Sequence, residues 1–126
     1  MLVLDSGGVS RLARRRPDSA AVISVLQRDG WWPPLVPTAV VVEATTGRPD
    51  RDANVNRFLK TCDLLSELPE PIARRAAALR TRAGRGSAVD AIVVALAEPF
   101  GAVLTGDLQD LRALASHAEG VVVLRA

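Results

Sequence analysis

The sequence is poor in cysteine, histidine and aromatic residues, and each scarcity excludes a class of protein. Cys62 is the only cysteine among 126 residues, which leaves no partner for an internal disulfide and no cysteine set for zinc. His117 is the only histidine, and we expect it at the surface, away from any site. With no tyrosine, two phenylalanines and two tryptophans, few rings are available to stack on nucleic-acid bases, so we expect Trp31 and Trp32 in the core.

Long apolar runs are also missing. No stretch approaches the roughly 20 residues that cross a bilayer, and Asp5 interrupts the N-terminal apolar stretch too early for a signal peptide. Apolar residues nevertheless make up 48% of the chain, which is enough to build a core and excludes a disordered chain. We therefore expect one domain over residues 1–126, located in the cytoplasm and not at a membrane.

The positive charge is carried almost entirely by arginine. Lys60 is the only lysine among 16 basic residues, and the net charge is only +2. The arginines form two clusters: Arg11, Arg14, Arg15 and Arg16, and then Arg74, Arg75, Arg80, Arg82 and Arg85. Two interpretations stay open, namely solvated helix faces or a surface that binds phosphate, for which the guanidinium fork is suited.

Four carboxylates stand in apolar surroundings, where acidic residues are uncommon. Asp5 ends the first apolar run, Glu43 follows three valines, Asp90 lies in the first turn of an apolar segment, and Asp107 follows another apolar run. Burying an unpaired carboxylate is costly or forces it to take up a proton. The pattern predicts that the fold gathers negative charge, usually for a divalent cation. Each acid also has a local interpretation, since Asp5 and Asp107 could cap helices and Glu43 could be an exposed helix residue.

Short apolar strands alternate with helices along the chain. The pattern predicts strands at residues 2–5, 35–36, 62–65, 102–104 and 120–124. It predicts helices at residues 9–15, 18–28, 50–61, 70–83, 88–97 and 108–116, with Asp18 and Ser87 as N-caps. Residues 38–46 stay ambiguous, because their valines favour a strand whereas Thr38 and Gly47 favour a helix. The alternation predicts an α/β fold, a mostly parallel sheet covered on both faces, with ligands beyond the carboxyl ends of the strands.

The four acidic segments, taken in order, resemble the PIN-domain ribonucleases, and most closely the VapC-like toxins of toxin–antitoxin modules. The matching segments are Val3-Leu4-Asp5-Ser6, Glu43 after its apolar stretch, Ser87-Ala88-Val89-Asp90-Ala91 and Leu104-Thr105-Gly106-Asp107. They span nearly the whole chain, and the four together are more specific than any one of them.

The resemblance implies a three-layer α/β sandwich in which residues 38–46 are helical. It also implies an endoribonuclease whose catalytic acids are Asp5, Glu43, Asp90 and Asp107, with Mg²⁺ or Mn²⁺ held by Asp5, Asp90 and Asp107. Ser6 and Thr105 would support the carboxylates. The substrate would be RNA, the partners a cognate antitoxin and a second copy of the chain. Arg80, Arg82 and Arg85 would then be the residues that contact RNA. Relatives often carry a further acid two residues after the position of Asp107, where this chain has Gln109 and then Asp110.

Two other functions stay open. A haloacid-dehalogenase-like phosphatase is also α/β and Mg²⁺-dependent, but it requires a second acid two residues after the first, where this chain has Gly7, and a catalytic lysine, for which only Lys60 is available. A PIN-like fold that only binds RNA or a protein is the non-enzymatic alternative, and the intact set of four acids speaks against it.

Overall fold

Five strands and seven helices alternate along residues 1–126, all of which the computed structural model describes. The strands are β1 (Leu2–Leu4), β2 (Leu35–Pro37), β3 (Asp63–Leu65), β4 (Ala102–Thr105) and β5 (Val122–Arg125). The helices are α1 (Ser6–Ala13), α2 (Pro17–Arg28), α3 (Thr38–Ala44), α4 (Pro49–Leu59), α5 (Glu70–Ala83), α6 (Ala88–Ala97) and α7 (Leu108–Ala115). No helix is long and apolar enough to cross a membrane.

The strands form one sheet in the order β3-β2-β1-β4-β5, and every pair of neighbours is parallel. The helices flank this sheet, which confirms the predicted α/β fold with a central parallel sheet. All residues of β1 and β4 are buried, as expected for central strands covered on both faces. Because β1 and β4 are neighbours, Asp5 and Thr105 emerge side by side at the carboxyl edge of the sheet.

Residues 38–44 are helical, as the resemblance implies and against their propensity for strand. Val40 is fully buried, and α3 packs against α1 and follows directly from β2. Burial of this side chain in the core outweighs the small intrinsic cost of β-branched residues in a helix. The helix begins at Thr38, so the residue at its N-cap is Pro37 and not the threonine.

Three predicted helix starts differ from the structure, since α1, α2 and α4 each begin earlier than predicted, α4 at Pro49. Helix α1 begins at Ser6, three residues earlier than predicted, because Asp5 caps it. Helix α2 has Arg16 at its N-cap, and Asp18 lies within the first turn, because Pro17 takes the first helical position that suits its fixed φ. The predicted bounds of α5 and α6 are confirmed, including the cap at Ser87.

Both tryptophans pack against the core, as predicted. Trp31 and Trp32 are partly buried beside the apolar cluster, and the ring of Trp32 meets Phe58 edge to face with centroids 6.2 Å apart. His117 is exposed just beyond α7, also as predicted.

Candidate active site

Asp5 is the one buried acid of the predicted set, with a side chain fixed at both oxygens. It follows β1 directly and is 6% exposed. Its Oδ1 accepts a hydrogen bond from the backbone N–H of Gly8 at 2.8 Å, and its Oδ2 accepts one from the hydroxyl of Thr105. Asp5 therefore has the capping role considered from the sequence, and it lies at the carboxyl edge of the sheet.

Two glycines make this close approach possible. A Cβ on Gly7 would lie 2.6 Å from the backbone nitrogen of Gly106, and a Cβ on Gly8 would overlap the carbonyl oxygen of Leu104. Any larger residue would push the first turn of α1 away from the end of β4. The Gly7-Gly8 pair thus sets the contact between Asp5 and Thr105.

Thr105 joins the ends of β1 and β4. It is fully buried, and its hydroxyl donates to Asp5 and accepts from the backbone N–H of Asp107 at 2.8 Å. A hydroxyl has one proton to donate, so this arrangement directs that proton to the carboxylate. The predicted supporting role of Thr105 has a structural counterpart in these two bonds. Ser6, the other predicted supporting residue, is half-buried, and its hydroxyl makes no hydrogen bond with the protein.

Asp90 is fixed by a reciprocal hydrogen-bond pair at the start of α6. The Ser87 hydroxyl accepts from the backbone N–H of Asp90, and Asp90 Oδ2 accepts from the backbone N–H of Ser87, both at 3.0 Å. This is a capping box, a role for Asp90 that the sequence reasoning missed although the pattern of Ser followed three residues later by an acid signals it. Asp90 is half-buried and leaves its other oxygen free of protein donors.

Three of the four acids are close enough to repel one another. Burial raises the pKa of Asp5, and the negative charge of Asp90 adds to that rise, while hydrogen bonds from Thr105, Gly8 and Gly106 oppose it. Partial desolvation raises the pKa of Glu43, and the charges of Asp90 and Asp5 raise it further. None of the protein's ion pairs includes these acids. The result is a concentration of negative charge with no cation from the protein to balance it.

Two members of the set are exposed, contrary to the expectation of burial. Glu43 lies near the end of α3 and is exposed. Asp107 is the N-cap of α7 and accepts from the backbone N–H of Asp110 at 3.4 Å. The structure thus gives Asp107 the local capping role considered from the sequence, next to Thr105 and so beside the same edge of the sheet.

The donor set suits a hard divalent cation, although the side chains do not form a complete ligand shell. No three acidic, histidine or cysteine side chains stand close enough together to hold a metal ion by themselves. Mg²⁺ keeps several of its waters and is commonly bound through only one or two carboxylates. An oxygen-only group of mutually repelling acids with no basic partner fits such a partly hydrated ion.

The three arginines predicted to contact RNA differ in their surroundings. Arg80 and Arg82 lie exposed in the last turns of α5 without an acidic partner, although Nε of Arg80 donates to the carbonyl of Gly86 at 3.3 Å. Arg85 instead forms an ion pair with Asp110, with Nε 2.6 Å from Oδ1. The structure therefore gives Asp110 a partner, and it leaves Arg80 and Arg82 as the unpaired cations of this cluster.

One buried carboxylate was missed altogether. Asp52, in the first turn of α4, is 5% exposed. It accepts from the backbone and hydroxyl of Thr46 at 2.9–3.0 Å and from the backbone of Gly47 at 2.8 Å. Burial alone would raise the pKa of Asp52, but bonds from Thr46, Gly47 and Arg48 hold it below its ordinary value. These contacts fix the turn between α3 and α4, so Asp52 has a structural role; its only signal in the sequence is the turn residues Thr46 and Gly47 just before a helix.

Comparison with known proteins finds the same fold in solved structures of low sequence identity. No family model and no curated protein matches the sequence. A chain of VapBC2 from Rickettsia felis, solved with a DNA fragment from its promoter, aligns with a TM-score of 0.71 at 9% identity over 99% of this chain and 98% of that chain. A chain of a toxin–antitoxin complex from Klebsiella pneumoniae aligns with a TM-score of 0.66 at 20% identity, over 97% of this chain and 96% of that chain. A chain of FitAcB from Neisseria gonorrhoeae aligns with a TM-score of 0.64 at 19% identity, over 98% of this chain and 96% of that chain. At such identities the likeness is one of fold, over essentially the full length of each chain.

Proposed function

We propose that the protein is a divalent-metal-dependent endoribonuclease and the toxin of a toxin–antitoxin pair. The observation that carries the proposal is the unbalanced group of Asp5, Glu43 and Asp90, with Asp107 beside it, at the carboxyl edge of a parallel sheet. The fold is shared with chains of toxin–antitoxin complexes, and the acidic segments resemble those of PIN-domain ribonucleases.

In this proposal Asp5, Asp90 and Asp107 hold Mg²⁺ or Mn²⁺. The chemistry that such a cation would supply is activation of a water molecule and neutralisation of charge on the phosphodiester. Thr105 and the backbone of Gly8 hold the Asp5 carboxylate in a fixed orientation, so that it needs no reorganisation when the substrate binds. Glu43 is exposed and has a raised pKa, which suits a carboxylate that orients a water molecule and accepts its proton.

The haloacid-dehalogenase-like phosphatase is disfavoured because the structure has no room for the second acid that it requires. That chemistry requires a second acid at position 7, where a Cβ would lie 2.6 Å from the backbone of Gly106. The first turn of α1 would have to move before any carboxylate could occupy this position.

The test of the nuclease is the chemistry of the cut ends. Attack by water leaves a 5′-phosphate and a 3′-hydroxyl, and EDTA should abolish cleavage of single-stranded RNA. Asp90→Asn should lose activity and Mn²⁺ binding, whereas Asp63→Asn, which changes an exposed acid on an edge strand, should keep both. Cleavage that persists in EDTA, or 2′,3′-cyclic phosphate ends, would contradict the proposal.

A groove formed by α1, α2 and α4 of this chain is a suitable docking surface for the antitoxin. A depression of about 310 Å³ has an apolar floor and a basic rim, and its lining includes Leu12, Ile23, Phe58, Arg14, Arg15 and Arg57. Such a groove fits a segment of the partner that carries apolar and acidic side chains, while a basic residue of the partner could neutralise the carboxylates.

The toxin assignment is tested by expression. The chain alone should arrest growth, and Asp5→Ala should not. Co-expression with the small protein encoded by the neighbouring gene should restore growth and yield a complex on gel filtration. The double substitution Arg15→Glu with Arg57→Glu should dissociate this complex, whereas Arg112→Glu should not. A soluble, well-expressed chain that leaves growth unaffected would refute the toxin role. Sedimentation of the free chain would test the homodimer that the resemblance implies.

A further inference from the structure

The loop between α5 and α6 is attached to α7 by two contacts. One is the ion pair of Arg85 with Asp110, with Nε 2.6 Å from Oδ1. The other is Gly86, which has a φ of 91° and lies so close to α7 that a Cβ would come within 2.7 Å of the Leu114 side chain. The loop therefore rests on α7 through one polar and one apolar contact.

Each residue of the ion pair lies close in sequence to an acid of the proposed site. Arg85 stands two residues before Ser87, which forms the capping box with Asp90. Asp110 lies in the first turn of α7, and its backbone N–H donates to Asp107. The pair thus connects the two elements that carry Asp90 and Asp107. Helices α6 and α7 also pack directly against each other, so the ion pair adds a contact near the ends where Asp90 and Asp107 lie.

We propose that Arg85 and Asp110 are positioning residues, whose ion pair holds Asp90 and Asp107 at the separation that the proposed cation site requires. This inference rests on the proposed function and deepens it. It gives Arg85 a role in the site other than RNA contact, and it gives Asp110 a role that needs no direct bond to the metal. Asp90 is half-buried and Asp107 is exposed, so the distance between them depends on what holds α6 and α7 together.

Loss of the ion pair should weaken Mn²⁺ binding by a modest but measurable factor. The two side chains are 43% and 27% exposed, and pairs of this kind contribute up to about 1 kcal/mol, which corresponds to roughly two- to five-fold in an equilibrium constant. Arg85→Gln and Asp110→Asn should therefore each weaken Mn²⁺ binding by about this factor. The double variant should be no weaker than the worse single variant, and the reversed pair Arg85→Asp with Asp110→Arg should recover affinity at unchanged net charge.

A second measurement does not depend on metal. In EDTA, amide hydrogen exchange at Ser87 and Asp90 should be faster in Arg85→Gln and in Asp110→Asn than in the unchanged protein. Arg112→Gln is the matched control, because Arg112 is exposed on α7, has no ion-pair partner and carries the same charge. It should leave the exchange of both amides unchanged, and it reports the effect of one lost positive charge on Mn²⁺ affinity.

The outcomes separate this inference from its alternatives. Unchanged exchange at Ser87 and Asp90 in both single variants would overturn the positioning role. If Asp110→Asn abolishes Mn²⁺ binding while Arg85→Gln tightens it beyond Arg112→Gln, Asp110 is a metal ligand and the inference is wrong. If Arg85→Gln weakens only RNA binding, Arg85 is an RNA contact and the inference is again wrong. Absence of Mn²⁺ binding by the unchanged protein would refute the proposed function, and the exchange data would still decide whether the pair holds the two elements together.

Discussion

Replacing Thr105 by valine removes a single hydroxyl from the interior and leaves the shape of the side chain almost unchanged. The hydroxyl donates to Asp5 and accepts from the backbone of Asp107. Because Thr105 is fully buried, no water can easily take its place beside the Asp5 carboxylate. The substitution therefore tests how strongly the end of β4 holds the one buried acid of the site.

The size of the effect follows from the charge of the acceptor. A hydrogen bond to a charged group contributes about 1.5–3 kcal/mol, whereas the exposed backbone of Asp107 can bond to water instead. We therefore expect Thr105→Val to cost about 2 kcal/mol at neutral pH. In a chain of 126 residues, 1 kcal/mol corresponds to roughly 3–5 °C in Tm, so the Tm should fall by roughly 6–10 °C.

The stability lost in Thr105→Val should depend on pH, and the pKa of Asp5 determines the direction of that dependence. The folded-state pKa of Asp5 lies above its unfolded value, chiefly because of burial. Ionising Asp5 therefore costs the folded state stability as the pH rises through that pKa. The Thr105 bond lowers the pKa, so its loss raises the pKa further and enlarges the cost at high pH. The Tm difference between the two proteins should be large near neutral pH and shrink as the pH falls through the raised pKa of Asp5, because the carboxyl is then protonated in the folded state of both proteins.

The assay is thermal unfolding by circular dichroism in EDTA across this pH range. Thr105→Ser is the matched control, since it keeps the hydroxyl and loses only a buried methyl, a loss that does not vary with pH. Equal pH dependence of the valine and serine variants would refute the argument, because it would mean that the hydroxyl does not act on the charge of Asp5.

The other expected results concern separate parts of the molecule. Asp90→Asn should raise the Tm in EDTA by a few degrees by relieving repulsion between carboxylates, while weakening Mn²⁺ binding measured by calorimetry; a lower Tm with unchanged affinity would place the site elsewhere. Asp52→Asn should lower the Tm at pH 7, and because the pKa of Asp52 is depressed, the loss should fade as the pH falls through that pKa in an acid titration of stability. Changing Arg80 and Arg82 to Gln should flatten the plot of log K against log salt for single-stranded RNA by about 0.7 per lost phosphate contact, and an unchanged slope would mark them as solvated surface.

The fold was predictable because its signals are local and agree with one another. The apolar runs that become β1 and β4 are bounded by acids or glycines, and Ser87 marks the start of α6. Residues 38–46 show the limit of this approach. Their local pattern supports two structures, and only the burial of Val40 against the rest of the fold decides between them.

The exposure of the acids in the proposed site could not be predicted from the sequence. Asp5 and Asp107 each follow an apolar strand and cap the next helix, yet Asp5 is buried and Asp107 is exposed. The difference arises from Gly7 and Gly8, which bring α1 onto β4 and enclose Asp5. Asp52 was missed for the related reason that its partners form a turn whose shape is not evident from residue types.

The contrast between one fixed acid and three accessible ones has a physical consequence for the proposed metal site. Asp5 is held by two hydrogen bonds and cannot move far, whereas Glu43, Asp90 and Asp107 each sit on a different helix and keep contact with solvent. Asp5, Glu43 and Asp90 repel one another, and none of them has an arginine or lysine partner. A divalent cation that keeps several of its waters would relieve this repulsion, and in the proposed site Asp5, Asp90 and Asp107 would hold it. Removal of Asp5 or Asp90 should therefore weaken metal binding while it relieves repulsion between carboxylates in the metal-free protein.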